Sequence, residues 1–247
     1  MKVLVPLANG FEDIEAFAVI DVLRRAGIEV DTVGIPSSMV TSKCGVRVIA
    51  DKSLREVKAE EYDGIILPGG NPGYKNLEKS REIIDIIKKM DEAKKLIAAI
   101  CGSTSILAKI GLLDDKKATI YPGMEKFIPH PRDERVVVDK NVITSQGPGT
   151  AIEFSLKIVE YFCGKEKALA LKKALVVWMN IEEKILREVS RRHVLRKVEI
   201  KNFLKKEDEK KVEKVIKKLI DKGLIVNVPF IESCIAITQK GMRELKK

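Results

Sequence analysis

The chain has 247 residues but few cysteines, and their spacing is unlike that of a metal site or a disulfide framework. The four cysteines, Cys44, Cys101, Cys163 and Cys234, include no CxxC pair. We therefore expect neither bound zinc nor structural disulfides. Scattered free thiols fit a reducing compartment, so we expect a cytoplasmic protein.

The sequence also lacks long apolar runs and nucleotide-binding motifs. No window reaches the roughly 18 apolar residues that a membrane span needs, and the opening stretch MKVLVPLANG turns too early for a signal peptide. Neither GxGxxG nor the GxxxxGKS/T motif occurs, so we expect no nucleotide and no other cofactor. Glutamine is rare, whereas Lys, Glu and Ile are abundant, a bias that fits a thermophile.

Charge divides the chain into two parts. Residues 1–180 carry 27 Lys and Arg against 25 Asp and Glu, whereas residues 181–247 carry 19 against 11. A net charge of about +8 is therefore concentrated in the last quarter of the chain. We predict a large domain over residues 1–178 and a small basic domain over residues 179–247.

The large domain alternates β-rich runs with helical patterns. The predicted strands are residues 3–8, 29–35, 46–50, 64–70, 96–100, 118–121 and 141–145, and the predicted helices are residues 13–26, 80–90, 103–110 and 151–162. Nearly all-apolar strands alternating with helices indicate an α/β fold, a doubly wound and mostly parallel sheet covered on both faces. Ligands of such sheets bind at the carboxyl ends of the strands.

Cys101 ends one of these strands, in the stretch LIAAICGSTS. A sharp strand-to-helix turn exposes the side chain of the turn residue and directs backbone N–H groups at whatever that side chain attacks. Here Gly102 would permit the turn, and Ser103 or Thr104 could cap the helix. The residue pattern leaves two interpretations open, a reactive thiolate and a small buried hydrophobe.

Two further stretches bear on this choice. The stretch LPGGNPG, which contains Gly70, follows another strand and exposes N–H groups that could hold an oxyanion. In NGFEDIEAF, Glu12 and Asp13 open a helix, where acidic residues usually complement the helix dipole. Glu15 follows among apolar neighbours, so its side chain could point at the sheet edge instead of at water.

These stretches resemble the ThiJ/PfpI superfamily, in particular the group of the parkinsonism-associated deglycase. The resemblance covers residues 1–178 through GFEDIEAFAVIDVLRRAGIEV, YDGIILPGGNPGYKNLEKS, LIAAICGSTSILAKIGLL and VITSQGPGTAIEFSLKIVEYFCGKEKA. It implies a flavodoxin-like sandwich, usually a homodimer, with a reactive Cys101, a protonated Glu15 hydrogen-bonded to it, and an oxyanion pocket formed by Gly70 and Gly102. It also implies a thiol of low pKa that is easily oxidised.

One feature of that family is missing. Many members carry a histidine followed by proline downstream of the cysteine, whereas the matching stretch ATIYPGM has Tyr121. The two histidines, His130 and His193, lie elsewhere in the sequence. A peptidase or amidotransferase mechanism would therefore lack its general base.

The loop SQGPGT precedes the last helix of the large domain. The residue pattern alone indicates a structural role, a tight loop in which Thr150 caps that helix. The resemblance also places the loop near the cysteine pocket.

The small domain resembles a winged helix-turn-helix module. A helical stripe from Ile181 through Leu195, a short segment over residues 198–204 and a helix up to Gly223 precede a predicted β-hairpin and a terminal helix. Its charge suggests DNA as a partner through residues 181–247. The alternative is a module for dimer or partner contacts with a charged surface, since the helix over residues 207–222 has no Arg, Asn or Gln to read bases.

Two classes of function follow. The first is an enzyme of the glyoxalase or deglycase type that acts on a small electrophilic carbonyl compound through Cys101 and Glu15. The second is a regulator in which oxidation or alkylation of Cys101 controls DNA binding. A peptidase or a chaperone is a weaker alternative.

Overall fold

The computed structural model describes residues 1–177, 181–204, 207–229, 231 and 233–246. It divides into two compact units, Met1–Leu175 and Val176–Lys247. The predicted boundary between residues 178 and 179 lies outside the described residues.

The first unit is an alternation of strands and helices. In chain order it contains β1 (Lys2–Ala8), α1 (Asp13–Arg25), β2 (Glu29–Ile35), β3 (Met39–Thr41), β4 (Arg47–Ile49), β5 (Lys52–Ser53), β6 (Gly64–Leu67), α2 (Gly73–Lys79), α3 (Arg81–Glu92), β7 (Leu96–Ile100), α4 (Thr104–Lys109), β8 (Val136–Asp139), β9 (Val142–Ser145), α5 (Ala151–Cys163) and α6 (Lys165–Ala174).

Seven strands form the central sheet in the order β5-β2-β1-β6-β7-β9-β8. All neighbouring pairs are parallel except β8 and β9, which confirms the predicted mostly parallel sheet. The chain runs outward from β1 to β2 and then crosses to β6 on the other side of β1. The carboxyl ends of β1, β6 and β7 therefore meet where strand order reverses, the usual place for a ligand site in such sheets.

The strands are apolar on both faces because both faces are covered. Residues that alternate along the strands, such as Leu4, Ile65 and Ile97, pack with Ile83 and Ile87 of α3 in one core cluster. The intervening residues point to the opposite face and are equally buried. Helices α1 and α5 pack against each other and carry buried residues of their own.

Two strand predictions need correction. Residues 118–121 form no strand, because the segment makes only an isolated bridge from Ala118 to Pro131 and its Thr119 N–H bonds to the Thr144 hydroxyl. The sheet edge is instead β8, which the sequence analysis missed and which pairs antiparallel with β9. The strand predicted over residues 46–50 exists as β4, but it pairs with β3 outside the main sheet.

The second unit has its own core and its own sheet. It contains α7 (Ile181–Arg192), β10 (Val194–Arg196), α8 (Lys197–Phe203), α9 (Glu209–Asp221), β11 (Ile225–Asn227), β12 (Cys234–Ile237) and α10 (Gln239–Lys246). The three strands pair antiparallel in the order β10-β12-β11. Buried residues of α7, α9 and the sheet form one apolar cluster.

One prediction in this unit is wrong. Val194 and Leu195 do not extend the helical stripe but lie in β10, opposite Ala236 and Ile235 of β12. The helix ends because His193 adopts the left-handed conformation, at φ +65°. Among the described residues, no helix is long and apolar enough to cross a membrane.

Candidate active site

Cys101 lies at the turn that follows β7. The turn over Cys101–Ser103 is 3₁₀-helical and leads directly into α4. Cys101 itself takes the left-handed conformation, at φ +61°, which costs a non-glycine residue about 1 kcal/mol or more. The residue with the strained backbone conformation is therefore Cys101. The sequence had suggested instead that Gly102 makes the turn possible.

Gly102 is needed for another reason. A Cβ atom at this position would lie 2.9 Å from Cδ1 of Tyr74, so the ring of Tyr74 covers the backbone of the turn. The predicted capping by Ser103 or Thr104 is absent, since Ser103 Oγ donates to the Pro68 carbonyl oxygen at 2.5 Å. That bond joins the cysteine turn to the loop after β6.

Glu15 reaches the same point from α1. Its neighbours Ile14 and Phe17 are 56% and 38% exposed, whereas Glu15 is fully buried. Glu12 is the N-cap of α1, and its Oε2 accepts the Glu15 N–H at 2.8 Å. The ordinary helix-start role is thus filled by Glu12, which leaves the Glu15 side chain directed inward.

The loop after β6 links α1 to the cysteine turn through Gly69. The Gly69 N–H donates to Glu15 Oε2 at 2.7 Å, and the Gly69 carbonyl oxygen accepts the Glu12 N–H at 3.0 Å. Glu15 Oε1 is buried without a hydrogen-bond partner in the structure. This free oxygen belongs to a carboxyl group that interacts directly with the Cys101 thiol.

Two backbone N–H groups act on the Cys101 thiol. They belong to Gly70 and Gly102, and both lower the pKa of the thiol because they stabilise its anion. Gly70 has φ +94° and is tightly enclosed, because a Cβ atom there would lie 2.4 Å from the Gly10 carbonyl oxygen. The structure thus brings together all four residues that the sequence singled out, whose catalytic roles stay predictions.

The titrations of Glu15 and Cys101 are coupled. Burial raises the pKa of Glu15 to about 7, and burial together with the charge of Glu15 raises the pKa of Cys101 to about 12. The direction for the thiol is opposite to the low pKa that the resemblance implied. The pair nevertheless loses its first proton near neutral pH, and the remaining proton can sit on either group, so titration belongs to the pair. The form with protonated Glu15 and thiolate is one tautomer of this anion.

The loop before α5 closes another side of the site. A Cβ atom on Gly147 would lie 3.3 Å from Cδ2 of Tyr121 and 3.8 Å from Glu15 Oε1. Tyr121 is 47% exposed. Thr150 does not cap α5 as predicted, because its hydroxyl bonds back to the Gly147 carbonyl oxygen and to Ser145.

The histidine of the first unit is not part of this cluster. His130 is exposed, and its Nε2 lies 2.9 Å from the Asp114 carbonyl oxygen. His193 lies in the second unit. Within the described ranges, no group of three or more His, Cys, Asp or Glu side chains could hold a metal ion.

Two residues of the site, Gly69 and Tyr74, were not predicted from the sequence. Gly69 is the residue that bonds to both Glu12 and Glu15, and Tyr74 covers Gly102. The adjacent glycines in LPGG were the available signal for Gly69, because two adjacent glycines after a strand indicate close approach by other groups. Nothing in the sequence pattern marks Tyr74.

Replacing Gly69 with alanine is expected to separate Glu15 from Cys101. The added Cβ would lie 2.7 Å from both Cys101 Cβ and Glu15 Oε2. We expect modification of Cys101 by iodoacetamide at pH 7, followed by peptide mass spectrometry, to slow by about tenfold. Gly149→Ala is the control, since nothing lies within 4 Å of a Cβ there. Equal slowing in both variants would contradict the role of Gly69.

Comparison with known proteins assigns the first unit to a family. The model of the DJ-1/PfpI family matches residues 1–161. The chain is 42% identical over 184 residues to protein DJ-1 homolog B of Arabidopsis thaliana, which covers 71% of the chain and 41% of that protein. It is 37% identical to the glutathione-independent glyoxalase DJR-1.2 of Caenorhabditis elegans, over 66% of the chain and 89% of the relative.

A solved structure agrees with these sequence matches. Oxidized DJ-1 of Toxoplasma gondii superposes with a TM-score of 0.69 at 41% identity, covering 71% of this chain and 97% of that one. The similarity therefore extends over the first unit and its fold.

Proposed function

The chain belongs to the DJ-1/PfpI family, and from this premise we propose that it is a cysteine-dependent enzyme of the glyoxalase or deglycase type. The observation that carries the proposal is the pair formed by the half-buried Cys101 and the fully buried Glu15, beside the N–H groups of Gly70 and Gly102. A relative in Caenorhabditis elegans is a glutathione-independent glyoxalase. A small 2-oxoaldehyde is the substrate class that this chemistry suits.

The first step forms a carbon–sulfur bond. The Cys101 thiolate attacks the aldehyde carbon, and the oxygen of that carbon becomes an alkoxide. The Gly70 and Gly102 N–H groups, which stabilise the anionic form of the thiol, are suited to stabilise this developing charge. Glu15, protonated in the reactive tautomer, gives its proton to the alkoxide, and the product is a hemithioacetal on Cys101.

The second step moves a proton between the two carbons. The Glu15 carboxylate takes the proton from the carbon bonded to sulfur and returns it to the former ketone carbon, while the hydroxyl proton of the hemithioacetal passes to the former ketone oxygen. The first carbon is thereby oxidised and the second reduced, so no external oxidant is needed. Water then hydrolyses the resulting thioester, which releases a 2-hydroxy acid and restores the thiol. A group with a pKa of about 7 suits both directions of transfer.

The test is the formation of lactate from methylglyoxal by the purified protein without glutathione. Detection of lactate by nuclear magnetic resonance, in proportion to enzyme and substrate, would support the enzyme. Absence of turnover while Cys101 remains the fastest of the four cysteines to be alkylated would favour the regulator. A slow Cys101 would contradict both.

The pH dependence of alkylation follows from the shared proton. We expect the alkylation rate at Cys101 to show a first rise with a midpoint at about pH 7, where the pair loses its first proton, and a further rise at higher pH, because the pKa of the thiol is raised to about 12. In Glu15→Gln only the thiol titrates, and its burial places the midpoint above the ordinary value of 9.0. Iodoacetamide rates between pH 5 and 10 measure both midpoints. A wild-type rate that shows no rise at about pH 7 would contradict the pairing.

Assembly as a homodimer, a cytoplasmic location and a thermophilic source stay predictions. The peptidase alternative remains without a histidine base in the cysteine pocket described above.

A further inference from the structure

The surface of α9 in the second unit carries three lysines on one stripe. Lys210, Lys214 and Lys217 follow the i, i+4, i+7 spacing that places side chains on one face of a helix. All three are exposed. They lie opposite the buried residues Val212, Ile216 and Leu219, which fix the inner face of α9. We call these three residues the lysine stripe.

Several cations near the lysine stripe are paired with acidic residues. Lys218 and Lys222 bond to Glu182 of α7 at 2.5 and 3.5 Å. Lys201 of α8 bonds to both acidic residues in the first half of α9, Glu209 and Glu213. Among the described residues, no ion pair involves a member of the lysine stripe.

Unpaired lysines on one helix face suit a polyanion. Seven residues of α-helix span about 10 Å, a distance that covers two or three consecutive phosphates of one DNA strand. The three lysines on the outer face of α9 are exposed, and the major groove of B-form DNA is wide enough to admit an α-helix. Asp221, one turn beyond Lys217, is the acidic residue in line with the stripe.

The side chains of α9 limit what can be recognised. Its sequence, EKKVEKVIKKLID, contains no Arg, Asn or Gln, the side chains that most often read base edges, apart from lysine itself. The element order of the second unit, with α8 and α9 before a hairpin, supports the expected winged helix-turn-helix arrangement. A helix of this composition would hold phosphates without reading sequence.

We propose that the lysine stripe on α9 binds the phosphates of double-stranded DNA without sequence specificity. This activity is independent of the chemistry at Cys101. Its affinity depends steeply on salt, because each phosphate that a lysine neutralises releases counterions.

The test is fluorescence anisotropy of a labelled 20-base-pair DNA of random sequence with the full-length protein at several salt concentrations. In K210E/K214E/K217E we expect affinity at low salt to fall by tenfold or more, and the slope of log affinity against log salt to decrease by about 3. Asp221→Asn should bind more tightly than wild type. The matched control is K88E/K117E/K167E, which changes the charge equally at exposed lysines of the first unit and should bind at least tenfold more tightly than the stripe variant.

Three results would overturn the proposal. They are equal loss of affinity in both triple variants, discrimination of more than tenfold among unrelated duplexes, and binding of anionic phospholipid vesicles in preference to DNA. An RNA duplex of the same length should bind more weakly, because its deep, narrow major groove excludes a helix. Equal RNA binding would overturn the choice of DNA. Circular dichroism of each variant checks that the second unit is folded.

Discussion

Replacing Cys101 with serine is expected to abolish the conversion of methylglyoxal to lactate, with a loss of about 10³-fold or more. The reason is that the first step needs a nucleophile that exists as an anion near neutral pH. A serine hydroxyl is a far weaker acid than a thiol, and no histidine stands beside it to take its proton. Steady-state lactate formation at pH 7.5 measures the loss.

The other cysteines provide the controls. Cys44 and Cys163 are exposed, and the hydrogen bond and charge of Asp13 raise the pKa of Cys44. A double variant with serine at both positions should keep wild-type turnover, although it removes the two most accessible thiols. Turnover that survives in Cys101→Ser, or that disappears in the double variant, would contradict the assignment of the nucleophile.

Replacing Glu15 with glutamine is expected to lower turnover by about 10²- to 10⁴-fold, the usual contribution of a positioned acid–base group. The amide oxygen can still accept the Gly69 N–H bond now made by Glu15 Oε2. The pocket therefore keeps its shape but loses the proton shuttle. The loss should appear in kcat more than in KM, because the carboxyl group acts after the substrate has bound.

The same substitution should stabilise the protein at alkaline pH. The pKa of Glu15 is raised from 4.5 to about 7 in the folded state, so the folded protein holds this proton more tightly than the unfolded chain. Stability from this group is therefore present at low pH and is lost as pH rises through about 7, by an amount on the order of 3 kcal/mol.

Glutamine carries no charge and avoids that loss. Thermal unfolding of Glu15→Gln and wild type should therefore be similar at pH 4 and should differ by several degrees in favour of the variant at pH 8. An inactive variant that is also less stable at pH 8 would mean that the substitution had damaged the fold, and would contradict this account of Glu15.

Most of the first unit could be predicted from the sequence because its strands are apolar on both faces. Such runs between helical patterns have few alternatives to a covered parallel sheet. The errors fall at the edge of the sheet, where residues 118–121 look like a strand but have no strand beside them, and where β8 is short and half-exposed. Edge pairing depends on contacts between distant segments, which local composition does not record.

The site could be predicted in its residues but not in its geometry. Cys101 and Glu15 were found through a strand-end pattern and a resemblance. Their pKa values depend on burial and on the Gly69 contact, which joins segments 54 residues apart in the chain. The role of Tyr74 depends on the packing of its ring on Gly102, and no periodicity predicts a contact of that kind.

The crossovers that deliver Glu15, Gly69 and Cys101 to one sheet edge also determine when the thiol becomes reactive during synthesis. These residues emerge from the ribosome in the order of their numbers, and each lies beyond the end of a different strand, β1, β6 or β7. Until β6 has paired with β1 and β7 has paired with β6, the Glu15 carboxyl group and the glycine N–H groups do not lie beside the Cys101 sulfur atom. A nascent or misassembled chain would then present an ordinary cysteine. Reactivity at Cys101 is therefore a readout of native assembly, and alkylation of Cys101, measured by peptide mass spectrometry, could follow the folding of this domain in a cell extract.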